Sequence, residues 1–346
     1  MPENDLRSID RQLLELLQQR VRLSHQMTRH GGDPVDAANH QRSAIRDLLR
    51  SSDLPDVDRD SALHWLMHAA SIRHTAAELM KVAFLGPHFS YSHLATIDFF
   101  GEAAAMVPLH TIEAVFDAMH RGKVLAGVVP IENSTDGRVV DTLGMFVQHR
   151  TPVCGEIRMP IHHNLLGRGN LADVRAVHSK PQALSQCRRW LADHLPEAEL
   201  VPVSSTTQAA QNAAQQTSVA AIASLPAGRH YGLEALETSI QDNPNNLTRF
   251  AVLGNEKTAP TGNDKTLMLF SLRHESGTLA AAMNAFAGRD LNLTWIESFP
   301  MPGRPNEYWF IVELEGHAND SDVSKAITDM KTCTRDLNVL GSYPIG

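Results

Sequence analysis

The sequence predicts a multidomain chain: an all-α N-terminal segment, a central α/β region and a C-terminal α+β unit. Three observations carry this reading. At 346 residues the chain exceeds what one ordinary core supports. Its first eighty residues repeat apolar side chains at three- and four-residue steps. Beyond them, short β-branched runs alternate with helical segments, and the last eighty residues read βαββαβ, a ferredoxin-like order. The expected divisions are 1–80, 81–255 and 265–346.

Leu6, Ile9, Leu13, Leu16, Leu23 and Met27 form one apolar stripe on a long helix, which Gly31-Gly32-Asp33-Pro34 stops. Two shorter helices are expected near residues 39–49 and 61–80. Three such helices bury too little apolar surface alone, so two chains are expected to pair, as a homodimer or larger homo-oligomer. Arg20 sits within the stripe, either snorkelling at its edge or turned into a pocket for a carboxylate.

In the centre, Val82-Ala83-Phe84-Leu85 is a buried strand ending at Gly86-Pro87, and Ser90 then suits a helix N-cap. Gly127 to Gly137 is a strand running into the polar turn Glu132-Asn133-Ser134. Ser179 and Gln186 flank the next turn and helix, and Ser205 opens another. Asp242-Asn243-Pro244-Asn245-Asn246 is turn chemistry, followed by the strand formers of Thr248-Arg249-Phe250-Ala251-Val252-Leu253. Successive hydroxyl and amide turns after strands gather where open sheets bind ligands. Residues 254–264 form a polar linker. After it come strand 266–272, helix 277–286, strands 291–298 and 308–314, helix 320–330 and strand 339–343.

Hydrophobic content of 42% and charged content of 20% suit a soluble globular protein. A formal charge of -8 argues against a general nucleic-acid binder. Cys154, Cys187 and Cys333 form neither a disulfide framework nor a zinc pattern. With a polar N-terminus and no membrane-spanning apolar run, a cytoplasmic protein without membrane attachment is expected.

Asn246-Leu247-Thr248-Arg249-Phe250 resembles the signature of prephenate dehydratases. Gly86-Pro87-His88-Phe89-Ser90-Tyr91-Ser92, Pro130-Ile131-Glu132-Asn133-Ser134 and Ser179-Lys180-Pro181-Gln182 with Gln186-Cys187 resemble further motifs of that family. Phe89 stands where the family has glycine, and Lys180 where it has histidine. The resemblance implies two lobes with the site in their cleft, like a periplasmic binding protein. The first lobe would hold 81–152 and the return segment with Thr248, the second 153–217.

Such an enzyme expels carbon dioxide and hydroxide from prephenate, and aromatisation drives the step without a cofactor. Hydroxide leaves poorly, so a donor must reach its oxygen. Thr248 is the candidate, as a hydrogen-bond donor rather than a free acid. Arg249 is expected to anchor a substrate carboxylate. Asn133, Ser134, Ser179, Gln186, Glu132, Ser90 and Ser205 complete the expected substrate set.

Ile9-Asp10 through Leu13-Leu14, Leu16-Leu17 and Arg20 resemble the all-helical chorismate mutase domain, and Arg20 matches one of its arginines. Glu3, Gly31 or Gly32, His40-Gln41 or, in another register, Ala44-Ile45, and His74-Thr75 fall where that family carries other pocket residues. A scaffold with an incomplete mutase pocket is therefore expected, a fully bifunctional enzyme being the alternative. Gly277-Thr278-Leu279 and Glu297-Ser298-Phe299-Pro300 resemble two motifs of the regulatory ACT domain, with Phe299 in place of arginine. That resemblance implies phenylalanine as effector at Gly277, Thr278, Leu279, Glu297 and Ser298. A non-catalytic amino-acid sensor is the competing class.

Overall fold

The computed structural model describes residues 81–345 apart from 103, 256, 302 and 305, with single residues and short stretches between 12 and 66. Arg20 and most of the N-terminal expectations lie outside the described residues. Among those described, Gln12, Glu15, Leu16 and Gln19 are helical. Ile45 and Leu49 are buried, with Ala62 and Leu66 packed against them. No helix among the described residues is long and apolar enough to cross a membrane.

The first lobe is a mixed sheet with helices α1 (Tyr91–Phe100), α2 (Ile112–His120) and α3 (Val140–His149). Its strands are β1 (Lys81–Leu85), β2 (Ala105–Leu109), β3 (Ala126–Asn133), β4 (Gly137–Arg138) and β5 (Val153–Pro160). A later strand, β11 (Leu247–Leu253), completes it. The order is β2-β1-β3-β11-β5, so β11 lies between β3 and β5 and is antiparallel to both. Insertion there explains why its residues are almost wholly apolar or buried.

The second lobe joins β6 (Asn164–Gly167), β7 (Ala176–Ser179), β8 (Glu199–Pro202), β9 (Val219–Ala223) and β10 (Glu234–Glu237). Their order is β10-β6-β9-β7-β8. Helices α4 (Pro181–Gln186), α5 (Arg188–His194), α6 (Thr206–Ala213) and α7 (Leu225–Tyr231) complete it. The lobe boundary therefore differs from expectation. Residues 153–160 belong to the first lobe because β5 pairs with β11, and the second lobe runs from β6 through β10.

The C-terminal unit is β12 (Asp264–Ser271), α8 (Thr278–Ala287), β13 (Leu293–Pro300), β14 (Tyr308–Glu315), α9 (Ser321–Cys333) and β15 (Asp336–Pro344). The antiparallel sheet runs β13-β14-β12-β15. Strand alternation splits its side chains between two cores. Met268, Phe270, Val312 and Leu314 pack with Phe286 and Met330 of the two helices. Leu267, Leu269, Ile311 and Tyr343 instead share one core with Val115, Leu143, Ala251 and Leu253 of the first lobe.

The two units approach so closely that a Cβ on Gly341 of β15 would overlap the Val153 carbonyl of β5. Gly341→Ala is expected to cost about 1–3 kcal/mol by overpacking. Thermal unfolding checks it; an unchanged midpoint would contradict the contact.

Candidate active site

A cleft of about 640 Å³ opens between the two lobes. The first lobe lines it with Ser90, Tyr91, Asn133, Asp136, Arg138, Thr248 and Phe250. The second contributes Lys180, Gln182, Gln186, Ser205 and Thr206, and the connection between lobes adds His163.

Thr248 is the first residue of β11 to face the cleft, opposite Asn133 of β3. Asn133 settles which way the threonine hydroxyl is used. Its Oδ1 accepts the backbone N–H groups of Thr135 at 2.9 Å and Asp136 at 3.0 Å. That fixes the amide, so Nδ2 donates, to Asn246 Oδ1 at 3.0 Å and to Thr248 Oγ1 at 2.8 Å. With its oxygen already accepting, Thr248 has its own O–H left to donate. The Asn-Pro-Asn-Asn turn holds this arrangement from behind: Asn246 Nδ2 donates to Gln186 Oε1 at 2.9 Å.

Gln186 crosses between the lobes, its Nε2 donating to Asp136 at 2.8 Å. Its Oε1 also lies 2.7 Å from His163 Nε2. Because that oxygen can only accept, the proton of His163 belongs on Nε2. Burial pushes the imidazole below its ordinary range, partly offset by the Gln186 bond and Asp136. His163 is therefore neutral near pH 7, with Nδ1 as a buried acceptor lacking a partner among the described residues. The Tyr91 hydroxyl donates to the His162 carbonyl, and burial raises its pKa further above the ordinary tyrosine value.

Ser90 and Ser205 line the cleft as the N-caps of α1 and α6. Ser90 Oγ accepts from His93 N–H at 3.3 Å, and Ser205 Oγ from Gln208 N–H at 3.0 Å. Phe89 takes φ 65°, the left-handed region in which glycine is unstrained. Its ring stays out of the cleft. It packs against the second-lobe core and stacks on His230 at 4.2 Å. Ser224 donates to the Phe89 carbonyl and Thr207 to that of His88, each at 3.0 Å. The Phe89 ring and these two backbone carbonyls thus tie the first lobe's loop to the second lobe.

Four expected substrate contacts are corrected. Arg249 follows Thr248 on a strand, so its side chain leaves by the opposite face. There it meets protein carboxylates: Glu156 at 3.0 Å, Glu132 at 2.9 Å and Glu313 at 2.5 Å. Glu132 is likewise occupied by Arg249 and does not line the cleft. Ser179 is fully buried, donating to the Ile222 carbonyl at 2.7 Å across the sheet. Ser134 Oγ accepts from Leu247 N–H at 2.9 Å, clamping the turn rather than facing the cleft.

In the C-terminal unit, Gly277 caps α8 at φ 84°, and Leu279 is exposed. The Thr278 hydroxyl bonds the Arg273 and Glu275 carbonyls at 3.0 Å. Glu297 shares the strand face of Trp295, toward the first lobe, and pairs with Arg138 at 2.5 Å. Arg138 thus engages one of the expected effector residues. Ser298 lies on the other face of β13.

Tyr91, Asp136, Arg138, His163 and Lys180 were not among the expected site residues. Tyr91, Asp136 and Lys180 sit inside stretches already singled out, and Arg138 immediately follows one. His163 comes together with Gln186 only through the interlobe connection.

Comparison with known proteins accords with this geometry. A prephenate dehydratase family profile matches residues 82–258. A bifunctional chorismate mutase/prephenate dehydratase of Aquifex aeolicus is 35% identical over 345 residues, spanning 97% of this chain and 95% of that protein. The solved prephenate dehydratase of Arthrobacter aurescens in complex with L-Phe is 32% identical, with a TM-score of 0.71. It covers 77% of this chain and 90% of its own. A structure described as GqqA, a novel type of quorum quenching acylase, is 27% identical with a TM-score of 0.71, over 77% of this chain and 98% of that one. The family profile spans half of the chain and the Aquifex relative nearly all of it; the chain belongs to the prephenate dehydratase family.

Proposed function

We propose that this protein converts prephenate to phenylpyruvate, carbon dioxide and water, and that phenylalanine inhibits it through the C-terminal unit. The observation that carries the reading is the Thr248 hydroxyl, held in the cleft with its oxygen accepting from Asn133. It is left able to donate to the departing ring hydroxyl as the carboxylate is lost. Aromatisation of the ring drives both departures, so a well-placed neutral donor serves where a strong acid would otherwise be needed. Ser90 and Ser205 on facing walls supply further polar contacts, and Gln186 joins the walls.

The effector reading draws on the βαββαβ order and on the L-Phe complex of the Arthrobacter relative. A second reading, full bifunctionality, is favoured by the Aquifex relative, whose named mutase activity accompanies a match over 97% of this chain. The incomplete set of pocket cations at the N-terminus favours the first.

Separate assays with prephenate and chorismate on the full chain test both. Phenylpyruvate from prephenate, with slow or no conversion of chorismate, is expected. Activity unaffected by phenylalanine, with no heat of binding in calorimetry, would defeat the regulatory part. No turnover of prephenate would defeat the whole.

A further inference from the structure

The substrate proposed above carries two carboxylates, and the cleft offers few charges to meet them. Arg138 and Lys180 are its only lysine or arginine residues among the described lining. Arg138 is already neutralised by Glu297 at 2.5 Å. His163 is held neutral by burial. Asp136 and Asp141 add negative charge to the same surface. Lys180 is thus the lining cation without an ion-pair partner among the described residues.

Its position follows from local structure. β7 ends at Ser179, whose hydroxyl is turned inward to Ile222. Lys180 then takes an extended conformation, with φ -61° and ψ 141°, before Pro181 opens α4. That residue is exposed, on the second-lobe wall, while Thr248 is on the first. A ligand bridging the walls can place its reacting hydroxyl near Thr248 and a carboxylate toward Lys180.

We infer that Lys180 is the carboxylate-anchoring residue of the cleft, the task first assigned to Arg249. The assignment rests on the prephenate reading of the site. A lysine here, where the resembling motif has histidine, puts a compact ammonium on a flexible stem at this wall in place of an imidazole. Binding of the ground state and of the transition state then depend on it alike, so its loss falls mainly on KM.

The test compares wild-type protein, Lys180→Met and Lys180→Arg in steady-state turnover of prephenate. Lys180→Met is expected to raise KM about tenfold or more, with kcat within about threefold. Lys180→Arg is expected to recover most of that loss, because it keeps the charge. Calorimetric titration of prephenate into Thr248→Ala, with and without Lys180→Met, reads the same loss as binding without turnover. Lys180→Met with KM within twofold of wild type would overturn the anchor while leaving the dehydratase reading intact. Failure of Lys180→Arg to recover KM would also overturn it, since a charge would then not be what matters. A wild-type protein inert toward prephenate would remove the reading on which both stand.

Discussion

Thr248→Ala is expected to lower prephenate turnover by about 10²–10³, the usual cost of removing one preorganised donor to developing charge. KM should change little, because the hydroxyl's contribution grows as the ring hydroxyl departs. The alanine also frees Asn133 Nδ2, which retains its bond to Asn246 Oδ1 at 3.0 Å, so the turn should hold its shape. Thr248→Ser keeps the donor and should keep most of the rate. Asn133→Ala should fall between them, since Thr248 would lose the bond that orients it. Steady-state kinetics on the three variants decides the matter. Full turnover by Thr248→Ala would mean that the leaving oxygen takes its hydrogen bond elsewhere.

The second large effect is on stability. Arg249→Leu removes the centre of a buried charge cluster and leaves Glu156 and Glu313, whose side chains are 1% and 0% exposed, to share Lys265, with Arg158 a more distant cation at 4.0 Å from Glu156. Leaving buried carboxylates short of a partner costs about 3–5 kcal/mol. The thermal midpoint should therefore fall by roughly 6–20 °C. Burial by itself would raise the Glu313 carboxyl. Arg249 and Lys265, with the Thr294 hydroxyl, outweigh it and hold the group below its ordinary range. A carboxyl depressed in the folded state stabilises above its unfolded pKa of about 4.3, and the contribution fades as pH falls through the folded value. The gap between wild type and Arg249→Leu should accordingly be full at neutral pH and narrow below about pH 4. Below the midpoint of the variant, KM for prephenate should stay near wild type. Equal midpoints at pH 7, or a large rise in KM with stability kept, would restore Arg249 to the cleft.

Arg249 marks the limit of what local sequence carries about the site. Thr248 and Arg249 are adjacent on a strand, and adjacent strand residues point to opposite faces. The alternation alone forbids both from lining one cleft. Arginine's appetite for carboxylates was sound chemistry, but the carboxylates turned out to be Glu132, Glu156 and Glu313 of the protein itself. All three lie between 64 and 117 residues away along the chain, and no local pattern announces them.

The C-terminal strands and helices were legible to within three residues at each end, because each carries a clear apolar pattern and is bounded by turn chemistry. The lobe boundary was not. Val153–Pro160 reads as a strand in either lobe, and only its pairing with Leu247–Leu253, some ninety residues on, assigns it. Asn133 and Gln186 could be singled out from hydroxyl and amide turns. Ser179 looked equivalent, yet its strand end is covered by β9. Lys180 was visible all along as an odd residue in a motif; its solitude as a charge needed the whole lining.

The core shared between the first lobe and the C-terminal sheet bears on how far this chain can be divided. Leu267, Ile311 and Tyr343 pack with Val115, Leu143 and Leu253, and the carboxylate cluster spans the same seam. Truncation after the linker would strip an apolar face from the lobe that carries Thr248 and leave Arg249 facing water. Neither portion can shift against the other without disturbing that common core.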